Sequence, residues 1–395
     1  MTGTNKKILM VHNYYNTENP SGENISFDAE CNFIKNNFDN ITVVKYVKYN
    51  NNINKMSLLN LMFSGFSYIW NFFIQIEFSK FILHERPDII HVHNVFPLIS
   101  NSIFKIFNKN KSKVILTTHN LRLFCAAGIP VRKNKICIDC ITQRSVLPAL
   151  KFKCYKSSFI KTLPIALNIY IFKILKIKNN IDLFISLTKY QKKLLILGGI
   201  DPDKIVVKPN FYPSVPKVIP VTQRNFNFLY VGRLSVDKGI LVLLDAWLHM
   251  ADRAPKLIII GSGELYDVLK IRSFNLNIEL LGHLSHSETE KYIANSTCLV
   301  FPSLIFEGFP MAIREAFAFG TPIISSDIDP IIEITNGYSL LFKSGNYIDL
   351  ANKVLLLNES FDEKINFSKR SSEAFLNCYG PNNHLNSLKK IYNLD

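Results

Sequence analysis

Two carboxylates and two cations in the second half of the chain are spaced as a ligand site would space them. The run Glu307-Gly308-Phe309-Pro310-Met311-Ala312-Ile313-Arg314-Glu315 follows an apolar stretch, Cys298 to Phe301, that reads as a strand. Pro310 suits the first turn of a helix. Gly308 permits close backbone approach, and free amides at a helix start favour phosphate or sugar oxygens. This spacing puts Glu307 in a loop and Glu315 about two turns further on, so the carboxylates would meet different parts of an elongated ligand. The plainer reading makes Glu307 a favourable charge at a helix start and Glu315 a surface residue.

A second group, Gly232-Arg233-Leu234-Ser235-Val236-Asp237-Lys238-Gly239, also follows a strand-like run. A guanidinium fork and an ammonium point charge bracketed by glycines suit a diphosphate whose charge grows as it leaves. Gly261-Ser262-Gly263-Glu264 either lets a ligand approach or turns the chain. In the first half, His12-Asn13-Tyr14-Tyr15 leads to Ser21-Gly22-Glu23, and His119-Asn120 follows Thr117-Thr118. A histidine at a strand end can bond a hydroxyl or take a proton. His91 and His93 alternate at another strand end, where either is as readily structural. Four of the seven cysteines cluster as Cys125-x11-Cys137-x2-Cys140-x13-Cys154, a set that fits either a structural zinc site or buried free thiols.

The elements that must position these residues alternate β-branched runs with helical stretches, the pattern of parallel α/β sheets. Strands are expected at 7–12, 41–46, 88–92, 113–118, 182–187 and 204–208, then at 226–231, 256–260, 277–281, 298–301 and 321–325. A chain of 395 residues exceeds one ordinary core. Pro209, Pro213, Pro216 and Pro220 mark an interdomain linker. The expected fold class is α/β, with two doubly wound Rossmann-like domains facing across a cleft. Residues 1–213 form the first domain, 214–377 the second, and 378–395 a C-terminal helix returning to the first. Ligands of such folds bind beyond the carboxyl ends of the strands.

Charge separates the halves. Residues 1–213 carry 29 Lys+Arg against 12 Asp+Glu, whereas 214–395 carry 17 against 19. The basic half calls for an anionic partner or for solvated lysines. Single-strand nucleic-acid binding wants aromatics interleaved with basic residues on a sheet, and here most aromatics are Phe within apolar helices. Residues 56–76 carry no charge, but Ser57, Asn60, Ser64, Ser67, Asn71 and Gln75 repeat every three or four residues. That stripe suits a packed or interfacial helix better than a membrane span. Residues 151–178 mix apolar side chains with Lys161, Lys173, Lys176 and Lys178, as a basic interfacial segment would. The apolar run Ile8 to Val11 is too short for a signal peptide, so a cytoplasmic protein with reduced cysteines is expected.

The Glu307–Glu315 segment, with Gly232–Gly239 upstream, resembles the retaining nucleotide-sugar glycosyltransferases of family 4, which have the GT-B architecture. The resemblance extends through the His12–Glu23 loop, Pro87-Asp-Ile-Ile-His-Val-His-Asn94 and Thr117-Thr-His-Asn-Leu-Arg-Leu-Phe-Cys125. It implies that Arg233 and Lys238 hold the donor diphosphate, flanked by Gly232 and Gly261. Glu315 would hold the ribose, and Glu307 with the backbone of Gly308 and Phe309 the transferred sugar. Gly22 would approach the donor phosphates, and His119 would contact the sugar or support the reacting centre. Relatives usually carry two adjacent glycines where Ser21-Gly22 stands here. No catalytic metal is implied; the acceptor would be a lipid-linked or growing saccharide of surface-polysaccharide assembly. The enzyme would lie on the anionic inner face of the cell membrane, without nucleic acid. An epimerase or sugar phosphorylase of the same fold is the alternative, neither of which needs a basic apolar belt.

Overall fold

The computed structural model describes residues 5–15, 21–50, 69–107, 111–133, 135–225 and 227–394. The chain divides into two compact units. The first comprises residues 1–132, 137–208 and 389–395; the second comprises 209–388 with 133–136. The proline-rich segment thus groups with the second unit, and the last seven residues group with the first.

In the first unit the strands are β1 (Lys6–Tyr14), β2 (Ile41–Tyr49), β3 (Ile89–Val92), β4 (Lys113–Thr118), β7 (Leu183–Ser186) and β8 (Ile205–Val207); β5 (Val131–Arg132) pairs with β6 (Lys135–Ile136), which lies in the 133–136 stretch, in a minimal two-stranded ladder. The main sheet runs β2-β1-β3-β4-β7-β8 and is parallel throughout. Its helices are α1 (Gly22–Asn37), α2 (Phe72–Glu85), α3 (Asp139–Thr142), α4 (Leu147–Lys151), α5 (Phe159–Ile174) and α6 (Lys189–Leu197). β3 is buried at every position, which a strand covered on both faces requires.

The second unit has β9 (Asn227–Val231), β10 (Lys256–Ile260), β11 (Ile278–Gly282), β12 (Cys298–Phe301), β13 (Ile323–Ser326) and β14 (Leu340–Phe342), ordered β11-β10-β9-β12-β13-β14 and again all parallel. Helices α7 (Ile240–Met250), α8 (Tyr266–Arg272), α9 (His286–Asn295), α10 (Met311–Ala318), α11 (Asp329–Thr335), α12 (Tyr347–Glu359), α13 (Phe361–Ala374) and α14 (Pro381–Tyr392) accompany them. Trp247 on α7 is fully buried among Phe228, Leu257 and Val300 in the core on one side of this sheet. All eleven expected strands form, with bounds shifted by at most three residues; β5, β6 and β14 were not expected.

In each sheet the strand order reverses once, between β1 and β3 and between β9 and β12. Chain leaving neighbouring strands at that point departs in opposite directions, opening a crevice at their carboxyl ends. The loops after β1, β3, β9 and β12 hold most of the residues singled out from sequence.

One expectation about the basic half changes. Residues 56–68 lie outside the described residues. Within the rest of 56–76, one helix does not run through: Asn71 is extended (φ −92°, ψ 92°) and caps a new helix, α2. Its side-chain oxygen accepts from Ile74 N at 3.1 Å, and its Nδ2 donates to Leu98 O at 2.7 Å. A cap of this kind starts a helix and cannot sit inside one. In the 151–178 segment, Lys173 Nζ donates to Arg144 O at 2.7 Å and Lys178 Nζ to Gly199 O, so both tie down local backbone. Among the described residues, no helix is long and apolar enough to cross a membrane.

Candidate functional site

In the second unit, the loops leaving β9 and β12 are locked together. Leu304 N donates to Asp237 O at 3.0 Å. A Cβ on Gly239 (φ +71°) would stand 1.8 Å from Pro302 O, so the β9 loop lies against the β12 loop with room for hydrogen alone. The β10 loop closes on the same place. Gly261 (φ +148°) presses on Gly232 O, with 1.9 Å to a hypothetical Cβ, and Leu234 N donates to Ser262 O at 3.0 Å. Both close approaches are possible only because glycines stand at 239 and 261.

The clasp brings together residues 69 apart in sequence. Lys238 Nζ meets Glu307 Oε1 at 2.5 Å, and Ser303 Oγ donates to the same oxygen at 2.7 Å. Arg233 is more open: its side chain is 58% exposed, and its guanidinium is steered by Asp237 (2.9 Å) and Ser235 (3.2 Å). The partly buried Lys238–Glu307 pair and the exposed Arg233 thus border one loop cluster at the switch point. α10 begins after Pro310, as expected. The Phe309 ring is buried against Tyr379 with centroids 5.4 Å apart.

Glu315 is not a surface residue. It is 4% exposed and accepts from Arg314 NH2 at 3.2 Å; His286 Nδ1 stands at 3.9 Å. Burial pushes its carboxyl up, while Arg314 and His286 pull it back towards the ionised form. Arg314 is itself buried and held by Phe211 O at 2.7 Å. One face of α10 thus carries a desolvated carboxylate oriented by a fixed guanidinium.

In the first unit, Gly22 is the first residue of α1. Ser21 is the N-cap and accepts from Asn24 N at 3.3 Å. His119 and Asn120 line a pocket with His93, Phe96, Arg122 and Asn168. His119 Nε2 and His93 Nδ1 are 3.0 Å apart. Burial lowers both rings, His119 to about 3, so both are neutral at pH 7 and one must donate. Glu30 Oε1 lies 3.9 Å from His93 Nε2, and Glu30 is paired with buried Lys208 at 2.6 Å. A carboxylate on that side favours the proton on His93 Nε2. His93 Nδ1 then accepts from His119 Nε2–H, and His119 keeps Nδ1 as its acceptor nitrogen.

His12 and His91 are core residues. His12, lowered by burial to about 4, bonds Asn24 Oδ1 at 3.0 Å and stacks on Phe27. His91, also near 4 through burial, is held by Tyr392 and Thr117 at 2.7 Å each. Glu30, His91 and His93 are the one group among the described residues with three ligand atoms within 4.8 Å of one another. Lys208 Nζ already neutralises Glu30, and both His91 nitrogens are bonded, so the group does not fit a cation. The clustered cysteines converge on a separate small pocket of this unit.

Sequence reasoning named Glu23 in the loop after the first strand without giving it a role, and passed over Glu30 and Lys208. Glu23 is buried beside the pocket, its Oε1 accepting from Asn120 Nδ2 at 2.8 Å while Oε2 has no partner; burial raises its carboxyl. Its signal was adjacency to Gly22. Glu30 lies seven residues on, the same face of a helix after two turns.

Two parallel doubly wound units, the second with glycine-clasped loops at its switch point, define the GT-B fold. Family profiles agree: residues 57–213 match Glycosyltransferase Family 4, and 225–360 match Glycosyl transferases group 1. The chain belongs to the family 4 glycosyltransferases. An uncharacterized glycosyltransferase of Methanocaldococcus jannaschii is 28% identical over 261 residues, 63% of this chain and 57% of that protein. An uncharacterized 41.2 kDa protein in the cps region of Klebsiella pneumoniae is 26% identical over 330 residues, covering 79% and 80%. The UDP-Gal:alpha-D-GlcNAc-diphosphoundecaprenol alpha-1,3-galactosyltransferase of Escherichia coli is 28% identical over 220 residues, 49% and 55%. The chain therefore spans little more than half the length of two of these three. Among solved structures, Anabaena HepE in complex with UDP and glucose superposes with TM-score 0.66 at 14% identity, covering 98% of this chain and all of that one.

Proposed function

We propose that the protein is a retaining glycosyltransferase that moves a sugar from a uridine diphosphate sugar to a lipid-linked or growing saccharide acceptor in surface-polysaccharide assembly. The observation that carries this reading is the Lys238–Glu307 pair, 2.5 Å apart in the glycine-clasped loops at the β9/β12 switch point. An ammonium beside an exposed guanidinium offers positive charge to a diphosphate. The carboxylate next to them, backed by the Gly308 and Phe309 amides, offers acceptors and donors to sugar hydroxyls. Glu315, desolvated and held by Arg314, suits the paired hydroxyls of a ribose. The choice of uridine and of a lipid-linked acceptor is supported by the ligand of Anabaena HepE and by the name of the Escherichia coli relative.

In the step proposed, the acceptor hydroxyl attacks the anomeric carbon on the face the diphosphate leaves. The bond from carbon to phosphate oxygen breaks with its electron pair, and a phosphate oxygen takes the acceptor proton. Arg233 and Lys238 accelerate this by stabilising charge that grows on the leaving group. No metal takes part. His119, kept neutral by burial, accepts from a sugar hydroxyl, and Gly22 leaves the α1 start open to phosphate.

The test is a binding and hydrolysis screen of UDP-, GDP- and ADP-sugars. UDP-sugars should raise the Tm and be turned over, and Glu315→Ala should weaken that binding. Lys238→Ala should lower kcat about 10²–10³-fold at saturating donor, since its work is on the leaving group. Full rates from both variants would refute the assignment.

The protein docks on the inner leaflet through α2 and α5. Phe73 and Ile160 are 84% and 80% exposed, and Phe72, Leu83, Phe159 and Ile174 join them. Residues Trp70, Phe72 and Lys105 share one apolar groove with Tyr170 and Ile174, so the two helices present a common face in the first unit. Binding to anionic vesicles should weaken steeply with salt, and Phe73→Asp/Ile160→Asp should abolish it. Equal binding to neutral vesicles would remove the electrostatic part.

A further inference from the structure

Arg122 and Leu123 line the pocket around His119, and among the described residues of the segment they open, 121–158, little regular structure is present. The segment contains the two-residue strands β5 and β6, the four- and five-residue helices α3 and α4, and few buried apolar side chains. Ala126 and Ala149 pack with Ile165 and Ile169, and Cys140 and Cys154 lie against them. Two alanines bury little area, so this cluster offsets only a small part of the entropy of ordering so long a segment.

The four cysteines stand at its turning points. Cys125 closes the turn from Leu121, with 2.8 Å between Cys125 N and Leu121 O. Cys137 follows the β5–β6 ladder and donates its N–H to Pro130 O at 2.8 Å. Cys140 lies in α3, and Cys154 follows α4, its N–H on Ala149 O at 3.1 Å. All four side chains line one small pocket, with Arg132 and Ala149 beside them, and none is in a disulfide. Cys140 is within electrostatic reach of the other three, and Cys154 of Cys125 and Cys137.

We propose that Cys125, Cys137, Cys140 and Cys154 form a structural zinc site that braces this segment. Four sulfur donors select zinc among the common divalent ions, and four protein ligands leave no position open for substrate. No three of the sulfurs lie within 4.8 Å of one another, so binding must draw them in. A single χ1 change swings a sulfur by about 3 Å, enough for that closure. Zinc with four thiolates carries a double negative charge. Arg132, bridged to Asp139 at 2.9 Å and stacked on Phe152, stands beside Cys137 and Cys154 to offset it.

The brace reaches the pocket through Arg122. Its NH1 donates to Ala126 O at 3.1 Å, its guanidinium lies 4.1 Å from the Phe96 ring centroid, and Leu121 N bonds Gly128 O. Fixing Cys125 fixes the turn that holds this side chain in the pocket wall.

Metal analysis of the full chain, purified without chelator, decides the question independently of the proposed reaction. It should give one zinc per chain, released to a chromogenic chelator when an organomercurial blocks the thiols. Cobalt exchanged into the site should show the thiolate-to-metal bands of a tetrahedral sulfur set. Cys137→Ser/Cys140→Ser should lose the metal and lower the Tm while leaving uridine diphosphate binding by the second unit intact. Four freely titrating thiols with substoichiometric zinc, two disulfides, bound iron, or zinc kept by the double variant would each overturn the site. If that variant does not fold, the wild-type metal content and cobalt spectrum still decide.

Discussion

At the scale of single residues, the first unit depends on a buried chain of charge and hydrogen bonds: Lys208 to Glu30, Glu30 beside His93, His93 to His119. Removing one member of a buried pair leaves the other unpaired, which costs about 3–5 kcal/mol. Glu30→Gln should therefore lower stability by that amount in urea titration. Glu30→Gln/Lys208→Met should recover most of it, because neither charge then remains. Turnover should stay reduced in the double variant, since nothing then biases the His93 tautomer; recovery of both would make the pair purely structural. The histidines and the Glu307–Glu315 segment stood out in the sequence through type and spacing. The Glu30–Lys208 pair did not, because its members are 178 residues apart and meet only when α1 packs beside the end of β8.

At the scale of elements, strands were the most legible feature, since a parallel strand buried on both faces must be almost wholly apolar. Helix starts were less so. Asn71 read as part of a polar stripe but caps α2, and no periodicity distinguishes these before the partner of the side chain is known. The glycines of the second unit give a graded test. Gly282 has φ +71° with nothing within 4 Å of a Cβ, so Gly282→Ala should cost only the left-handed strain, about 1–2 kcal/mol. Gly239→Ala and Gly261→Ala add a collision with backbone oxygens at 1.8 and 1.9 Å. Both should cost well over that and weaken nucleotide binding, as read by urea midpoint and calorimetry. Equal costs at all three positions would mean that the loop clasp is not tight.

At the scale of the molecule, acid should act on the two units unequally. His12, His91, His93 and His119 all lie in the first unit, and burial lowers each below its ordinary value. A lowered histidine binds its proton more readily when unfolded. Its contribution is thus complete above about pH 6.5 and is lost as pH falls towards 4 for His12 and His91 and towards 3 for His119. Each contributes up to about 1.4 kcal/mol per pH unit in that window. The first half also carries the excess of basic residues, so repulsion grows there as carboxylates protonate. Calorimetry from pH 7 to 4 should show the first unit's transition moving to lower temperature well ahead of the second's. Parallel shifts would mean that the buried histidines do not control acid stability.

The sequence by itself determined the two α/β units, their strands, and the loops that carry Arg233, Lys238, Glu307 and His119, because apolar runs and punctuating glycines act locally. Tertiary structure alone decided that Lys238 meets Glu307, that Glu315 is buried on Arg314, and that Glu30 faces His93 and Lys208. Those contacts arise where the order of parallel strands reverses, and strand order joins residues by position in the sheet, whatever their distance along the chain.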